Sequence, residues 1–133
     1  MINTKEKKEA EKKLYVSDEE LDVDYIYIKV QEYLTAHVYC INEYKDVRHS
    51  NAYRAEMYNK FLINRANARH AIEQSGLTDD EKLVMEAYYL GDNYCNYRMC
   101  AERTGYTEKE VARLHAKGFV KVANRLQKTG KVK

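Results

Sequence analysis

The sequence contains no proline, no tryptophan and only five glycines among its 133 residues. Proline and glycine interrupt regular structure most strongly, so their scarcity favours long helices joined by few turns. No run of about 18 apolar residues predicts a membrane-spanning helix, and the opening stretch MINTKEKKEAEKK lacks the apolar core of a secretory signal. We therefore expect an all-α protein located in the cytoplasm.

Cysteine is also sparse, since Cys40, Cys95 and Cys100 form an odd set without a Cys-x-x-Cys pair. We interpret them as reduced thiols. An alternative zinc site of Cys95, Cys100 and His115 would have a spacing that matches none of the usual ligand patterns. No glycine loop for phosphate, paired-carboxylate site or nucleophile with a base can be assembled from the sequence. The sequence thus predicts no enzymatic activity, no cofactor and no metal site.

The net charge of +2 hides a strong asymmetry along the chain. Residues 98–133 carry ten Lys or Arg against three Glu, whereas residues 1–97 carry thirteen basic against eighteen acidic residues. No carboxylate side chain follows Glu110. Such a basic end is typical of nucleic-acid binding, where each Lys or Arg near a phosphate releases counterions.

Capping residues and apolar spacing divide the chain into four parts. Ser17 with Glu20 predicts a capping box at the start of a first long helix. The four parts are a flexible charged arm (1–17), two long helices that are a candidate oligomerisation hairpin (18–76), a helix-turn-helix unit (77–127) and a basic tail (128–133). The helices are expected at about Asp18–Tyr44, Ala52–Gln74, a short segment after Thr78, Tyr94–Thr104, and from Glu108 onward.

The segment from Cys100 to Leu126 has the pattern of a helix, a glycine turn and a second helix. Thr107 and Glu110 form a Thr-x-x-Glu capping box, which predicts a helix start at Glu108. Gly105 supplies the positive φ that a tight turn between two crossing helices usually needs. The spacing predicts a helix-turn-helix whose last helix packs through Val111, Leu114, His115, Gly118, Val122 and Leu126.

On the opposite face of this last helix, the long side chains are basic and the short side chains are alanines. Such a face could enter the major groove closely, and the candidate base-reading residues are Lys109, Ala112, Arg113, Ala116 and Lys117. The forked guanidinium of Arg113 can make two bonds to a guanine edge. The alternative is an ordinary solvated helix with scattered lysines, but the turn glycine and the capping box favour DNA reading.

A second set of residues is predicted to position the unit on the DNA backbone without reading sequence. Its members carry hydroxyl or cationic groups in or near the two helices. They are Tyr97, Arg98, Thr107, Lys121 and Arg125.

Residues Leu77 to Leu126 carry a family resemblance. A Leu-Thr-acidic-acidic-Glu cap opens the segment, an apolar helix ending in Tyr-Leu and Gly follows, and the pattern Tyr-x-x-x-Ala-Glu-x-x-Gly-x-Thr-Glu-x-x-Val completes it. The last pattern is filled by Tyr97, Ala101, Glu102, Gly105, Thr107, Glu108 and Val111. The segment resembles the C-terminal promoter-binding region of bacterial sigma factors and the sigma-like regulators of phages, including the ArpU type. His115 departs from it, because leucine is usual there.

The resemblance implies a transcriptional regulator of phage or mobile-element type that binds double-stranded DNA at the bacterial nucleoid. Nothing before Leu77 resembles the sigma regions that bind the polymerase core, which implies that the chain is not a complete sigma factor. A single unit of this size would bind weakly, so we expect a homodimer through the N-terminal helices. The thirteen tyrosines either replace leucine at half-buried helix positions or form an interface.

The sequence also fits two other functions. A phage DNA-packaging small subunit also combines a helix-turn-helix with long helices, and it would assemble into a ring. The chain could instead bind a host protein, such as RNA polymerase or a defence nuclease, through the same scaffold.

Overall fold

The computed structural model describes the backbone of residues 18–133 and the side chains from Asp24 onward. These residues form helices and no strand, so the predicted all-α class is confirmed. The helices of this part are α1 (Asp18–Lys45), α2 (Asn51–Glu73), α3 (Asp79–Tyr89), α4 (Tyr97–Thr104) and α5 (Glu108–Lys128). The predicted arm at 1–17 and the predicted capping box of Ser17 and Glu20 lie outside the described residues and side chains.

The predicted start of α4 at Tyr94 is wrong by three residues. The side chain of Asn96 accepts a hydrogen bond from the Met99 backbone N–H at 2.8 Å, so Asn96 is the N-cap and the helix begins at Tyr97. A short amide that satisfies an orphan backbone donor favours the cap position over the helix interior. Residues 90–96 therefore form a longer connection than expected.

The first two helices lie side by side and run antiparallel. Arg54 donates to the Tyr44 carbonyl at 2.7 Å near the turn, and Asn64 contacts the Cys40 sulfur at 3.6 Å further away from it. Ser50 ends the turn by capping α2. Contacts farther from the turn thus join earlier residues of α1 to later residues of α2, as expected for antiparallel helices.

One apolar core joins these two helices to α3 and α5. Val30 and Leu34 of α1 are fully buried in this core, and so is Ile72 of α2. The other buried members are Ala68, Ala71, Met85, Tyr89, Leu90, Phe119, Val122, Leu126 and Val132. The parts predicted before and after residue 76 therefore share one continuous core. The last helix, α5, packs against the long helices as well as against α3.

The C-terminal end of α3 is fixed by polar side chains from three other helices. Arg65 of α2 donates to the Leu90 carbonyl at 2.9 Å, and Nε2 of the buried His37 in α1 lies 3.1 Å from the Gly91 carbonyl. Arg103 of α4 donates to the Ala87 carbonyl at 3.2 Å. The last carbonyls of a helix have no partner within it, so these bonds satisfy groups that would otherwise need water.

The last residues fold back on the core. Val132 is buried, and the backbone N–H groups of Lys131 and Val132 both donate to the Leu126 carbonyl. The segment expected to be a basic tail is thus anchored by one apolar side chain, while Lys131 and Lys133 remain exposed. None of the described helices is long and apolar enough to cross a membrane.

The turn between α4 and α5 depends on Gly105, which has φ of +82°. Side chains with a Cβ rarely adopt this conformation, and β-branched ones do so least. We expect Gly105→Val to lower the free energy of unfolding by about 2 kcal/mol. Chemical denaturation of the two proteins measures the difference, and equal midpoints with equal slopes would show that the turn tolerates the substitution.

Candidate nucleic-acid interface

Two consecutive helices, α4 and α5, are joined by the turn at Gly105 and pack against α3. Thr107 accepts the Glu110 backbone N–H at 3.1 Å, and the Glu110 carboxylate reaches back to the Thr107 N–H at 3.2 Å. This is the predicted capping box, and it is confirmed. A small cluster of Val84, Cys100, Val111 and Leu114 joins the three helices. The turn and the cluster together fix the direction in which α5 leaves the body of the protein.

The predicted packing face of α5 is confirmed. All six of its predicted members, Val111, Leu114, His115, Gly118, Val122 and Leu126, are buried. Gly118 has a specific role there, because a Cβ at this position would lie 2.7 Å from Met85 Cγ. The missing side chain lets α5 approach α3 closely, so the opposite face of α5 is turned outward.

The outward face carries the predicted base-reading residues. Lys109, Arg113, Ala116 and Lys117 are exposed, and Ala112 is half-buried. Within the described part of the chain, the three cationic groups have no salt bridge and no side-chain hydrogen bond. Eight helical steps separate Lys109 from Lys117, which is about 12 Å. A helix with its side chains is about 10 to 12 Å across, which is the dimension that the width of the major groove admits.

The predicted phosphate-contact residues differ in how available their polar groups are. Arg125 is exposed on α5 and has no side-chain partner among the described residues. Arg98 is exposed and lies 3.6 Å from Glu102 in a solvated pair, which contributes little and is easily exchanged. The hydroxyl of Thr107 is already engaged in the capping box.

Lys121 has a partner that the sequence analysis did not anticipate. Its Nζ lies 2.6 Å from Oε1 of Glu81, whose side chain is only 5% exposed. The same carboxylate oxygen accepts the Thr78 backbone N–H at 3.0 Å in the capping box of α3. The Lys121 ammonium, followed by these hydrogen bonds, holds the pKa of Glu81 below its usual value. Lys121 therefore serves first to neutralise a buried carboxylate between α3 and α5.

His115 is buried beneath the outward face and contacts two tyrosines. Nε2 of His115 shares a hydrogen bond with the Tyr89 hydroxyl, and Nδ1 lies 3.1 Å from the Tyr97 hydroxyl. Burial lowers the pKa of His115 to about 4, so the ring is neutral at physiological pH. Tyr97, predicted as a phosphate contact, is thus tied to the core by its hydroxyl group.

An apolar groove, which no pattern in the sequence predicts, lies beside the second half of α5. Val120 is 58% exposed on the outward side, where the basic face ends. Tyr27 of α1 packs its ring 4.6 Å from that of Phe119. The groove, of about 260 Å³, is lined by Ile26, Tyr27, Phe119, Val120, Ala123, Asn124 and Gln127. The outward face of α5 is therefore basic over its first half and uncharged beside this groove over its second.

The turn between α1 and α2 brings Glu43, Asp46 and His49 together, with their ligand atoms within 4.8 Å of one another. Arg48 makes a forked pair with Asp46, and Glu43 accepts hydrogen bonds from Tyr39, Tyr53 and His49. The bonds from Arg48 hold the pKa of Asp46 far below its usual value. These hydrogen bonds hold the two ends of the turn together. The alternative zinc set of Cys95, Cys100 and His115 is not brought together among the described residues.

Comparisons of the chain with protein-family models, with curated proteins and with solved structures give no match. The resemblance to sigma-type promoter-binding regions therefore stays a prediction from the motif residues themselves.

Proposed function

We propose that this protein is a sequence-specific DNA-binding transcriptional regulator of phage or mobile-element type, which acts at the nucleoid through α4 and α5. The observation that carries the proposal is the outward face of α5. Three long cations, Lys109, Arg113 and Lys117, lie there with no ionic partner among the described residues. Unpaired cations on a rigid helix are the arrangement that binds a polyanion with the least reorganisation.

Arg113 is the principal base reader in this proposal. It lies at the centre of the basic face, and its fork can bond to both acceptors of a guanine edge in the major groove. The neighbouring alanines, Ala112 and Ala116, keep the helix surface low and can contact thymine methyl groups. Lys109 and Lys117 flank Arg113 along the helix and complete the face.

The proposed phosphate contacts begin with Arg125, which is exposed and has no side-chain partner among the described residues, and Arg98, whose solvated pair with Glu102 is easily exchanged. Tyr97 and Thr107 complete the proposed set. Lys121 takes no primary part, because its ammonium is held by the buried Glu81.

We further propose a homodimer, as the weak binding of one small unit would require. Exposed apolar side chains on the outer sides of the long helices support it, and they are Tyr25, Ile28 and Tyr39 on α1 and Leu62 and Ile63 on α2. Aromatic residues are enriched where proteins meet. Sedimentation equilibrium should give twice the chain mass, whereas a monomer or a larger ring would contradict this part of the proposal.

The test of base reading compares three arginine variants on a duplex enriched from a random pool. Arg113→Ala should weaken binding to that duplex by about 1 to 3 kcal/mol and relax preference at one base pair. Arg125→Ala should weaken binding to the enriched and the shuffled duplex alike, and it should reduce the slope of log affinity against log salt concentration by about one unit. Arg69→Ala, an exposed arginine of α2, controls for the loss of one charge and should change little. Equal losses for Arg113→Ala and Arg69→Ala would refute the assignment of Arg113.

A protein partner is a second candidate function, and the apolar groove beside Val120 favours it. Such a partner, RNA polymerase for example, would contact Tyr27 and Val120, since exposed apolar patches mark interaction sites. Val120→Ser, which adds no charge to the outward face, would then strongly reduce capture of purified polymerase while the affinity for a duplex stays within about twofold. Undiminished capture by this variant would exclude the groove as the binding site.

A further inference from the structure

His115 occupies an unusual place for a polar ring, between two tyrosine hydroxyl groups. It lies on the packing face of α5 and is 4% exposed. Tyr89 of α3 contacts one ring nitrogen, Nε2, and Tyr97 of α4 contacts the other, Nδ1. A neutral imidazole has one nitrogen that donates and one that accepts. The direction of the two hydrogen bonds therefore depends on which nitrogen carries the proton.

The burial of Tyr89 decides that direction. Tyr89 is 2% exposed, and among the described residues its hydroxyl group makes a single hydrogen bond, to His115 Nε2. A buried hydroxyl proton needs an acceptor. Tyr89 therefore donates to Nε2, and the proton of the imidazole lies on Nδ1. The Nδ1–H group then donates to the Tyr97 hydroxyl oxygen.

This arrangement leaves the hydroxyl proton of Tyr97 unused inside the protein. Tyr97 is the first residue of α4 and is 37% exposed, and its hydroxyl has no other hydrogen bond among the described residues. In the opposite tautomer, the Tyr97 proton would be donated to Nδ1, and the hydroxyl would present only lone pairs to a ligand. Lone pairs repel a phosphate oxygen, whereas an O–H group donates to it.

We propose that His115 is a positioning residue that holds the Tyr97 hydroxyl as a hydrogen-bond donor to a DNA phosphate. The inference rests on the proposed function, and it adds a polar link from the buried side of α5 to the DNA backbone. His115 does not touch the DNA. It acts by fixing both the place of the Tyr97 oxygen and the direction in which that oxygen donates.

The first test measures the tautomer directly in the full chain without DNA. Long-range proton–nitrogen correlation spectra at neutral pH should show His115 with its proton on Nδ1 and with Nε2 unprotonated. The spectrum of the His115→Asn variant identifies the signals. A proton on Nε2 would overturn the proposal, because Tyr97 would then have to donate to the ring.

The second test measures how the two residues depend on each other in DNA binding. Tyr97→Phe should weaken binding about tenfold on enriched and shuffled duplexes alike, as expected for a lost bond to a charged group. In a His115→Leu background the same substitution should cost less than about twofold, since the hydroxyl is no longer held. In a His115→Asn background, where the amide nitrogen can replace Nδ1 as donor, the cost should remain near tenfold.

Melting curves recorded on the same samples show whether each variant is folded at the assay temperature, and His115→Met, which also lacks a side-chain donor, replaces His115→Leu if the latter is not. Equal effects of Tyr97→Phe in every background would overturn the inference while leaving DNA binding intact. No effect in the wild-type background would do the same. A wild-type chain that binds no duplex would overturn both this inference and the proposed function.

Discussion

Lys121→Met should lower the free energy of unfolding by about 3 kcal/mol, although Lys121 lies on a helix near the surface. The substitution keeps most of the length of the side chain and removes its charge. It leaves the Glu81 carboxylate, 5% exposed, without the ammonium that neutralises it. An unpaired buried charge is costly to solvate, and the exposure of Lys121 itself places the effect at the lower end of its usual range. Urea denaturation at neutral pH measures the difference.

Two further variants separate this cause from a general loss of charge. Lys117→Met removes a cation four residues earlier on α5 that has no partner among the described residues, and it should change stability by less than about 0.5 kcal/mol. Adding Glu81→Gln to Lys121→Met should recover most of the loss, because the amide can still reach the Thr78 cap. A double variant as unstable as Lys121→Met alone would show that the pair is not the source of the effect.

Mild acid should destabilise the protein through His115. In the folded protein its pKa is about 4, whereas the ordinary histidine value is 6.5. Because the folded state holds the ring neutral, the stability is complete above pH 6.5 and falls as the pH decreases toward 4. The loss should reach about 2 kcal/mol between pH 7.5 and pH 5, and about 3 kcal/mol in total. Denaturation midpoints across this range measure it.

The His115→Leu variant isolates this contribution. Between pH 7.5 and pH 5, the free energy of unfolding of this variant should fall by about 2 kcal/mol less than that of the wild type, since leucine does not titrate. His37, whose pKa is lowered mainly by burial, acts in the same direction in both proteins. Parallel pH profiles for the two proteins would show that folding does not lower the pKa of His115.

The parts of the fold that are coded locally could be predicted from the sequence. The capping box of Thr107 and Glu110 joins residues three apart, and the structure confirms it. The packing face of α5 follows from a period that holds over about four turns, so even the unusual His115 could be placed on it. Gly105 has the positive φ that its position in the turn predicts.

The pairing of distant side chains could not be predicted. Glu81 and Lys121 are forty residues apart, and each has an ordinary local role, as a capping residue and as a surface cation. The start of α4 at Tyr97 could not be predicted either, because the cap bond of Asn96 depends on the backbone conformation around it. The groove between Tyr27 and Val120 depends on the packing of α1 on α5, which no short-range pattern contains.

The most direct test of DNA reading by α5 is the ratio of two affinities of the wild-type chain. Fluorescence anisotropy at about 0.15 M salt would compare a duplex enriched from a random pool with a shuffled duplex of the same composition. We expect the enriched duplex to bind at least about a hundredfold more tightly, and both affinities to fall steeply as salt rises. Equal affinities for the two duplexes, or no binding even at low salt, would contradict the account.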